Sequence, residues 1–170
     1  MDNDMGAFYF FGCRKQDTLG MKIRIAVGQI NSTVGDLAGN ADKILRFADE
    51  ARAIKADIVC FPELAMTGYP PEDLLLKPGF IADNLSSMSK IAPLLKDIIA
   101  VIGFVDRAGG KLFNASAVVC GGKVAGIYHK MILPNYGVFD EKRYFAAGKD
   151  PFLFRAGRLV FGINICEDIW

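Results

Sequence analysis

Three short segments of this 170-residue chain carry side chains able to do covalent chemistry. The first is Phe61-Pro62-Glu63-Leu64-Ala65-Met66-Thr67-Gly68-Tyr69-Pro70-Pro71-Glu72-Asp73-Leu74. Glu63 follows a short apolar run, and sites in α/β sheets gather outside the carboxyl ends of strands. A half-shielded carboxylate in such a place suits a general base. The second is Tyr128-His129-Lys130-Met131-Ile132-Leu133-Pro134-Asn135-Tyr136-Gly137-Val138-Phe139-Asp140-Glu141-Lys142-Arg143-Tyr144-Phe145. Lys130 sits between a strand and a Pro-stiffened apolar loop, where an ammonium can donate to a developing oxyanion. Glu141 is placed to hold that ammonium, and strand alternation points His129 away from it. The third is Leu159-Val160-Phe161-Gly162-Ile163-Asn164-Ile165-Cys166-Glu167-Asp168-Ile169-Trp170. A strand delivers Cys166 to a turn, which resembles the strand–turn–helix logic of a nucleophile elbow without its G-x-S-x-G pattern. A helix N-terminus there favours thiolate, and Glu167 and Asp168 oppose it. Taken singly, each residue has an ordinary reading: Glu63 and Glu141 as solvated carboxylates, Lys130 as a surface cation, Cys166 as a buried apolar side chain.

The elements that must position these groups are legible in the pattern. Lys22 to Ile30 reads as a strand, and a helix from about Asn40 carries Ala41, Ile44, Leu45, Ala48 and Ala51 on one face. Asn40 suits the N-cap, with Asp42 in the first turn and Arg52 and Lys55 near the end. Asp57 to Phe61 is a near-continuous apolar run, as in a strand buried on both faces. A Pro- and Gly-punctuated loop runs from Pro62 to Pro78, with a short helix near Glu72-Asp73-Leu74. Phe80 to Lys96 comes next as a helix striped by Ile81, Leu85, Met88, Ile91, Leu94 and Leu95. Ile98 to Val105 is the next strand; Leu112–Cys120 and Lys123–His129 pair around Gly121-Gly122. Phe152–Phe154 and Leu159–Ile165 pair around Arg155 to Arg158. Strand, helix, strand in this order is an α/β layered fold.

Composition narrows the function classes. The net charge is +1, without a basic run, so nothing points to nucleic acid or an anionic membrane surface. No stretch is apolar for long enough to span a bilayer, and Asp2 and Asp4 precede Ala7–Phe11 where a secretory leader carries positive charge. A cytoplasmic protein is expected. The four cysteines Cys13, Cys60, Cys120 and Cys166 lie far apart, so neither metal ligation nor a disulfide framework is expected, and the lone His129 weakens a zinc site further. Residues 1–20 lack the periodicity of the rest of the chain and read as a flexible extension, with residues 21–170 the domain proper. The chain stops four residues after Cys166, which reads as a truncated domain.

In combination the three segments are specific. Phe61-Pro62-Glu63, His129-Lys130 with Leu133-Pro134-Asn135-Tyr136, and Ile165-Cys166-Glu167-Asp168-Ile169-Trp170 resemble the nitrilase superfamily of carbon–nitrogen hydrolases, in the family's order of Glu, Lys and Cys. Gly68-Tyr69-Pro70-Pro71-Glu72-Asp73-Leu74-Leu75 and the run from Leu133 to Phe145 look like the glutaminase domains of glutamine-dependent NAD synthetases. The resemblance runs from about Lys22 to the end. It implies a four-layer αββα sandwich, incomplete at the C-terminus. It implies Glu63, Lys130 and Cys166 as catalytic residues, Glu141 as a second carboxylate beside Lys130, and Tyr69, Tyr136, Glu167 and Trp170 around a glutamine pocket. It places no cofactor or metal in this domain; ATP, Mg and deamido-NAD belong to a C-terminal domain not contained here. A homo-oligomer is implied. Replacing Lys130 by Met is expected to leave the fold nearly intact while cutting catalysis by on the order of two to three powers of ten.

Other readings remain open on the sequence alone: a stand-alone amidase or nitrilase of the same superfamily, or a catalytically inactive binding module. A Rossmann-type nucleotide binder lacks the G-x-G-x-x-G loop after Ile30.

Overall fold

The computed structural model describes residues 10–13 and 22–170. The elements run β1 (Phe10–Cys13), β2 (Ile25–Val27), α1 (Leu37–Ala53), β3 (Ile58–Cys60), α2 (Pro78–Ile91), β4 (Ile99–Ala108), β5 (Lys111–Cys120), β6 (Lys123–His129), β7 (Phe152–Ala156) and β8 (Leu159–Ile163). One sheet has the order β2-β3-β4-β5-β6, parallel as far as β4 and antiparallel after it. A second sheet has the order β1-β7-β8, with β1 parallel to β7. The period-2 alternation of strands assigns the faces of the larger sheet. Val59, Ala100, Ile102, Ala115, Ala117 and Val119 pack toward α1 and α2, alongside Ile44, Ala48, Met88 and Ile91. Ile58, Ile99, Val101, Val118 and Tyr128 pack against Phe152, Phe154 and Ala156 of the smaller sheet. Both faces of the large sheet are therefore buried, which is why β3 and β4 read as unbroken apolar runs. The described elements form the helix, sheet and sheet layers of the expected αββα sandwich. Among the described residues no helix covers the outer face of the smaller sheet.

Several boundaries differ from the sequence expectation. The first helix begins at Leu37, and its N-cap is Asp36, whose carboxylate accepts the Gly39 N–H at 2.9 Å. Asn40 is buried inside the helix, where it bonds both Thr33 main-chain groups and the Met66 carbonyl. Because the helix starts earlier, Asp42 falls beyond its first turn. The second helix stops at Ile91 and tightens into a 3-10 turn over Ala92–Leu95. Pro93 explains this, since it lacks an N–H and its ring collides with the preceding turn; Leu94 turns outward in consequence. The first strand shrinks to Ile25–Val27. Cys120 is disulfide-bonded, against the expectation that the widely spaced cysteines form no disulfide framework. The sequence pattern had no strand at Phe10–Cys13; apart from that strand, the flexible-extension expectation for residues 1–20 lies outside the described residues.

Candidate active site

Glu63 owes its position to the end of β3. Phe61 continues the parallel ladder by one bond, its N–H reaching the Val101 carbonyl at 2.8 Å. Pro62 has no N–H to continue it, and a turn begins. That turn lies directly on β4: a Cβ at Gly103 would stand 2.3 Å from the Pro62 carbonyl oxygen and 2.5 Å from the Leu64 nitrogen. Only glycine admits this approach. Lys130 follows β6, held by its own N–H to the Asn114 carbonyl and by the Gly148 N–H to its carbonyl. Glu141 starts a one-turn 3-10 helix, and its N–H bonds the Pro134 carbonyl.

These three side chains converge. Lys130 has no solvent exposure, and its Nζ stands 2.8 Å from Glu63 Oε1 and 2.8 Å from Glu141 Oε1. Asn114, buried on β5, adds a fourth member: its Nδ2 donates to Glu63 Oε1 at 2.6 Å and to Glu141 Oε2 at 3.5 Å. Its amide orientation is set by this, because carboxylates only accept. Its Oδ1 is buried without a hydrogen-bond partner among the described residues. Burial pulls the Lys130 ammonium down, but its hydrogen bonds to Glu141 and Glu63 outweigh this and the net shift is upward. Burial pushes the Glu141 carboxyl up, against the opposing pull of Lys130. With all three charged, the cluster carries one net negative charge.

Cys166 opens the 3-10 turn Cys166–Ile169 three residues after β8 ends. Its φ of +47° is in the left-handed region, a strained conformation for a non-glycine residue and one seen at functional sites. The thiol is exposed. Glu63 and Cys166 line one cavity of about 290 Å³, together with Phe61, Ser116 and Asn164. Partial burial and then the Glu63 charge push the Cys166 thiol up; Lys130 and the Glu167 N–H pull it down without overcoming them. The resting sulfur is therefore a protonated thiol. A thiol with a carboxylate across the cavity and a fixed ammonium behind it can make a covalent acyl intermediate once the carboxylate takes its proton.

The remaining predicted positions fall into place unevenly. Tyr69 is exposed at 40%, and its phenol is pushed up to about 12, by partial burial first and then by the Glu141 and Glu63 charges. The Tyr136 hydroxyl donates to the Glu167 carboxylate at 2.9 and 3.0 Å, so these two form one unit. Trp170 is exposed. His129 bonds Asp106 at 2.7 Å and stacks on Phe113, away from Lys130. Sequence reasoning missed Asn114; its one signal was an amide inside the apolar run Asn114-Ala115-Ser116-Ala117-Val118. It also misplaced Asp168, whose carboxylate is bound up with Tyr128 and the backbone at 131, 132 and 165 instead of facing the sulfur. Among the described residues no group of three or more His, Cys, Asp or Glu is arranged to hold a metal ion. No helix among them is long and apolar enough to cross a membrane.

Known proteins resemble this chain in sequence and in fold. The family described as Carbon-nitrogen hydrolase matches residues 24–170. The glutamine-dependent NAD(+) synthetase of Xylella fastidiosa (strain Temecula1 / ATCC 700964) is 44% identical over 153 residues, covering 87% of this chain and 28% of that protein. The enzyme of the same name from Thermotoga maritima is 40% identical over 151 residues, covering 88% of this chain and 26% of its own length. The solved structure of glutamine-dependent NAD+ synthetase from Acinetobacter baumannii with ADP superposes with a TM-score of 0.84 at 40% identity, covering 87% and 28% of the two chains. An amidase mutant from Nesterenkonia sp. AN1, described as showing Michael addition of acrylamide at its active site cysteine, matches with a TM-score of 0.72 at 25% identity, covering 87% and 59%. This chain thus spans little more than a quarter of the length of the synthetases it resembles.

Proposed function

The chain belongs to the carbon–nitrogen hydrolase family, and on that footing we propose that it hydrolyses the side-chain amide of glutamine through a Cys166 thioester and releases ammonia. One observation carries the reading: a fully buried Lys130 sits 2.8 Å from both Glu63 and Glu141, while Glu63 shares a cavity with Cys166. Glu63 takes the thiol proton as the sulfur attacks the carboxamide carbon. An ammonium has three N–H donors, and two are engaged by Glu63 and Glu141, which leaves the third for the oxyanion. The Glu167 N–H, which pulls the Cys166 thiol down, is the second oxyanion donor. When the tetrahedral intermediate collapses, the C–N bond breaks and Glu63 returns its proton to the departing ammonia. Water, deprotonated by Glu63, then cleaves the thioester, giving glutamate and the free thiol. Tyr69 and the Tyr136–Glu167 pair border the substrate, and Trp170 is assigned to the same rim.

The relatives' names extend the proposal to the fate of the ammonia: amidation of deamido-NAD to NAD, with ATP and Mg, by sequence not contained in this chain. No residue here is assigned to those molecules. A homo-oligomer and a cytoplasmic location belong to the same proposal. The stand-alone amidase reading is favoured by the Nesterenkonia likeness, at 25% identity; the 44% likeness to a synthetase outweighs it.

The test is covalent. A glutamine-mimicking electrophile should modify the full-length protein at Cys166, and free glutamine should protect it. Glutamine hydrolysis that persists without modification at Cys166 would sink the proposal, and protection by simple aliphatic amides but not glutamine would favour the amidase.

A further inference from the structure

We propose that Asp168 is a positioning residue, whose carboxylate ties the turn carrying Cys166 to the strand end carrying Lys130; this rests on the glutaminase reading above and deepens it. Asp168 Oδ1 accepts the Met131 N–H at 3.0 Å and the Ile132 N–H at 2.8 Å. Its Oδ2 accepts the Tyr128 hydroxyl at 2.6 Å and the Ile165 N–H at 3.0 Å. A carboxylate has about four lone-pair sites, and all are engaged. The donors are not scattered. Tyr128 lies two residues before Lys130 and Met131 directly after it, and Ile165 immediately precedes Cys166. One side chain therefore holds the chain on both sides of the oxyanion cation and the residue that delivers the nucleophile.

The turn needs such a tie. Cys166–Ile169 is a single 3-10 turn without the cooperative bonding of a longer helix. Its first residue has a φ of +47°, a conformation that a non-glycine residue keeps only when the surroundings over-determine it. Besides Asp168, the turn is held by the exposed Tyr136 hydroxyl on the Glu167 carboxylate and by its own backbone. The Asp168 N–H returns to the Ile165 carbonyl at 3.1 Å, closing the loop on itself, and Ile165 is buried between the sheets beside Tyr128. Tyr128, 1% exposed, packs in the core between the two sheets, so the carboxylate is anchored on a buried side chain. Its phenol is pushed up by burial and by the Asp168 charge, and it stays a donor throughout the working pH range. The leading influences on the Cys166 thiol are burial, Glu63, Lys130 and Glu141; the role assigned to Asp168 is carried by its hydrogen bonds.

Asp168→Asn keeps the size but turns one two-donor acceptor into an NH₂ group facing two other donors. In the full-length protein, glutamine turnover should fall about a hundredfold in kcat, the scale of a misplacement near 1 Å, with KM within about threefold. Iodoacetamide labelling of Cys166 against pH reads the same geometry without glutamine. Released from its burial and from Glu63, the thiol should titrate lower, nearer an ordinary cysteine, in Asp168→Asn than in the parent. Unchanged kcat overturns the proposal, and so does a lower kcat with the labelling inflection unmoved, which is what a purely structural role would give. If Asp168→Asn does not fold, Tyr128→Phe decides: it removes one of the four donors and should lower kcat several-fold with the inflection moving the same way, whereas parental values overturn the proposal. If the parent itself does not hydrolyse glutamine, the glutaminase reading fails and the labelling inflection alone decides the role of Asp168.

Discussion

Replacing Lys130 by methionine removes the cation between Glu63 and Glu141 and leaves the apolar part of the side chain nearly unchanged. Each carboxylate lies 2.8 Å from Nζ, so their nearest oxygens are at most about twice that apart. At an effective dielectric of about 20, two like charges near 5 Å repel by about 3 kcal/mol. Protonating a carboxyl of ordinary pKa at pH 7 costs about 3.7 kcal/mol, and burial has already lowered that cost for Glu141 by raising its pKa. Glu141 should therefore take up a proton in the variant. The loss of stability should be about 3–5 kcal/mol near neutral pH, the range for breaking a buried pair, toward its lower end because Glu63 is 19% exposed. This fixes the sign of the pH dependence. A carboxyl with a raised folded pKa binds more protons folded than unfolded, so the variant's stability is greatest in acid and falls as pH rises through the raised Glu141 pKa, by up to about 1.4 kcal/mol per pH unit. The assay is urea unfolding of parent and variant near pH 6 and near pH 8. A difference below about 1 kcal/mol, or one that does not grow with pH, would refute the reasoning. Hydrolysis should fall by about two to three powers of ten as an oxyanion donor is lost. The expectation from sequence that this substitution leaves the fold nearly intact is thereby replaced: it treated Lys130 as a loop residue, and the side chain is sealed in the core.

Two further outcomes rest on the same geometry. Glu63→Gln removes a charge that raises the Cys166 thiol, so iodoacetamide labelling should show a lower inflection while glutamine hydrolysis is lost; an inflection that rises or stays put separates Glu63 from the sulfur. Gly103→Ala drives a methyl into the Pro62 carbonyl 2.3 Å away, which must push the Glu63 turn off β4. Activity should fall by about a hundredfold, with a stability loss of about 1–3 kcal/mol from overpacking in thermal unfolding, and a variant with parental turnover would show that the close approach is not needed.

The amino-acid order alone determined the local elements and the identity of the reactive groups. Alternation with period 2 and glycine pairs at turns placed β4 to β8 within a few residues, because strands and hairpins are read from neighbours along the chain. Glu63 and Cys166 were legible because each ends an apolar run, and Lys130 because it follows one. The helix ends were less legible. Asp36 and Asn40 are both good caps by composition, and what chose Asp36 was the tertiary use of Asn40 on Thr33 and Met66. The site itself was decided only by folding. Glu63 and Lys130 are separated by 67 residues, Glu63 and Asn114 by 51, and Asp168 and Tyr128 by 40, and no local pattern reports such pairings. Whether Lys130 is a surface cation or a sealed one, whether Glu141 is solvated or one member of a buried triad, and whether Asp168 opposes the thiolate or braces its turn all depend on which faces the layers close over. Burial and partner choice are properties of the closed sandwich, and they are what convert common residue types into a reactive cluster.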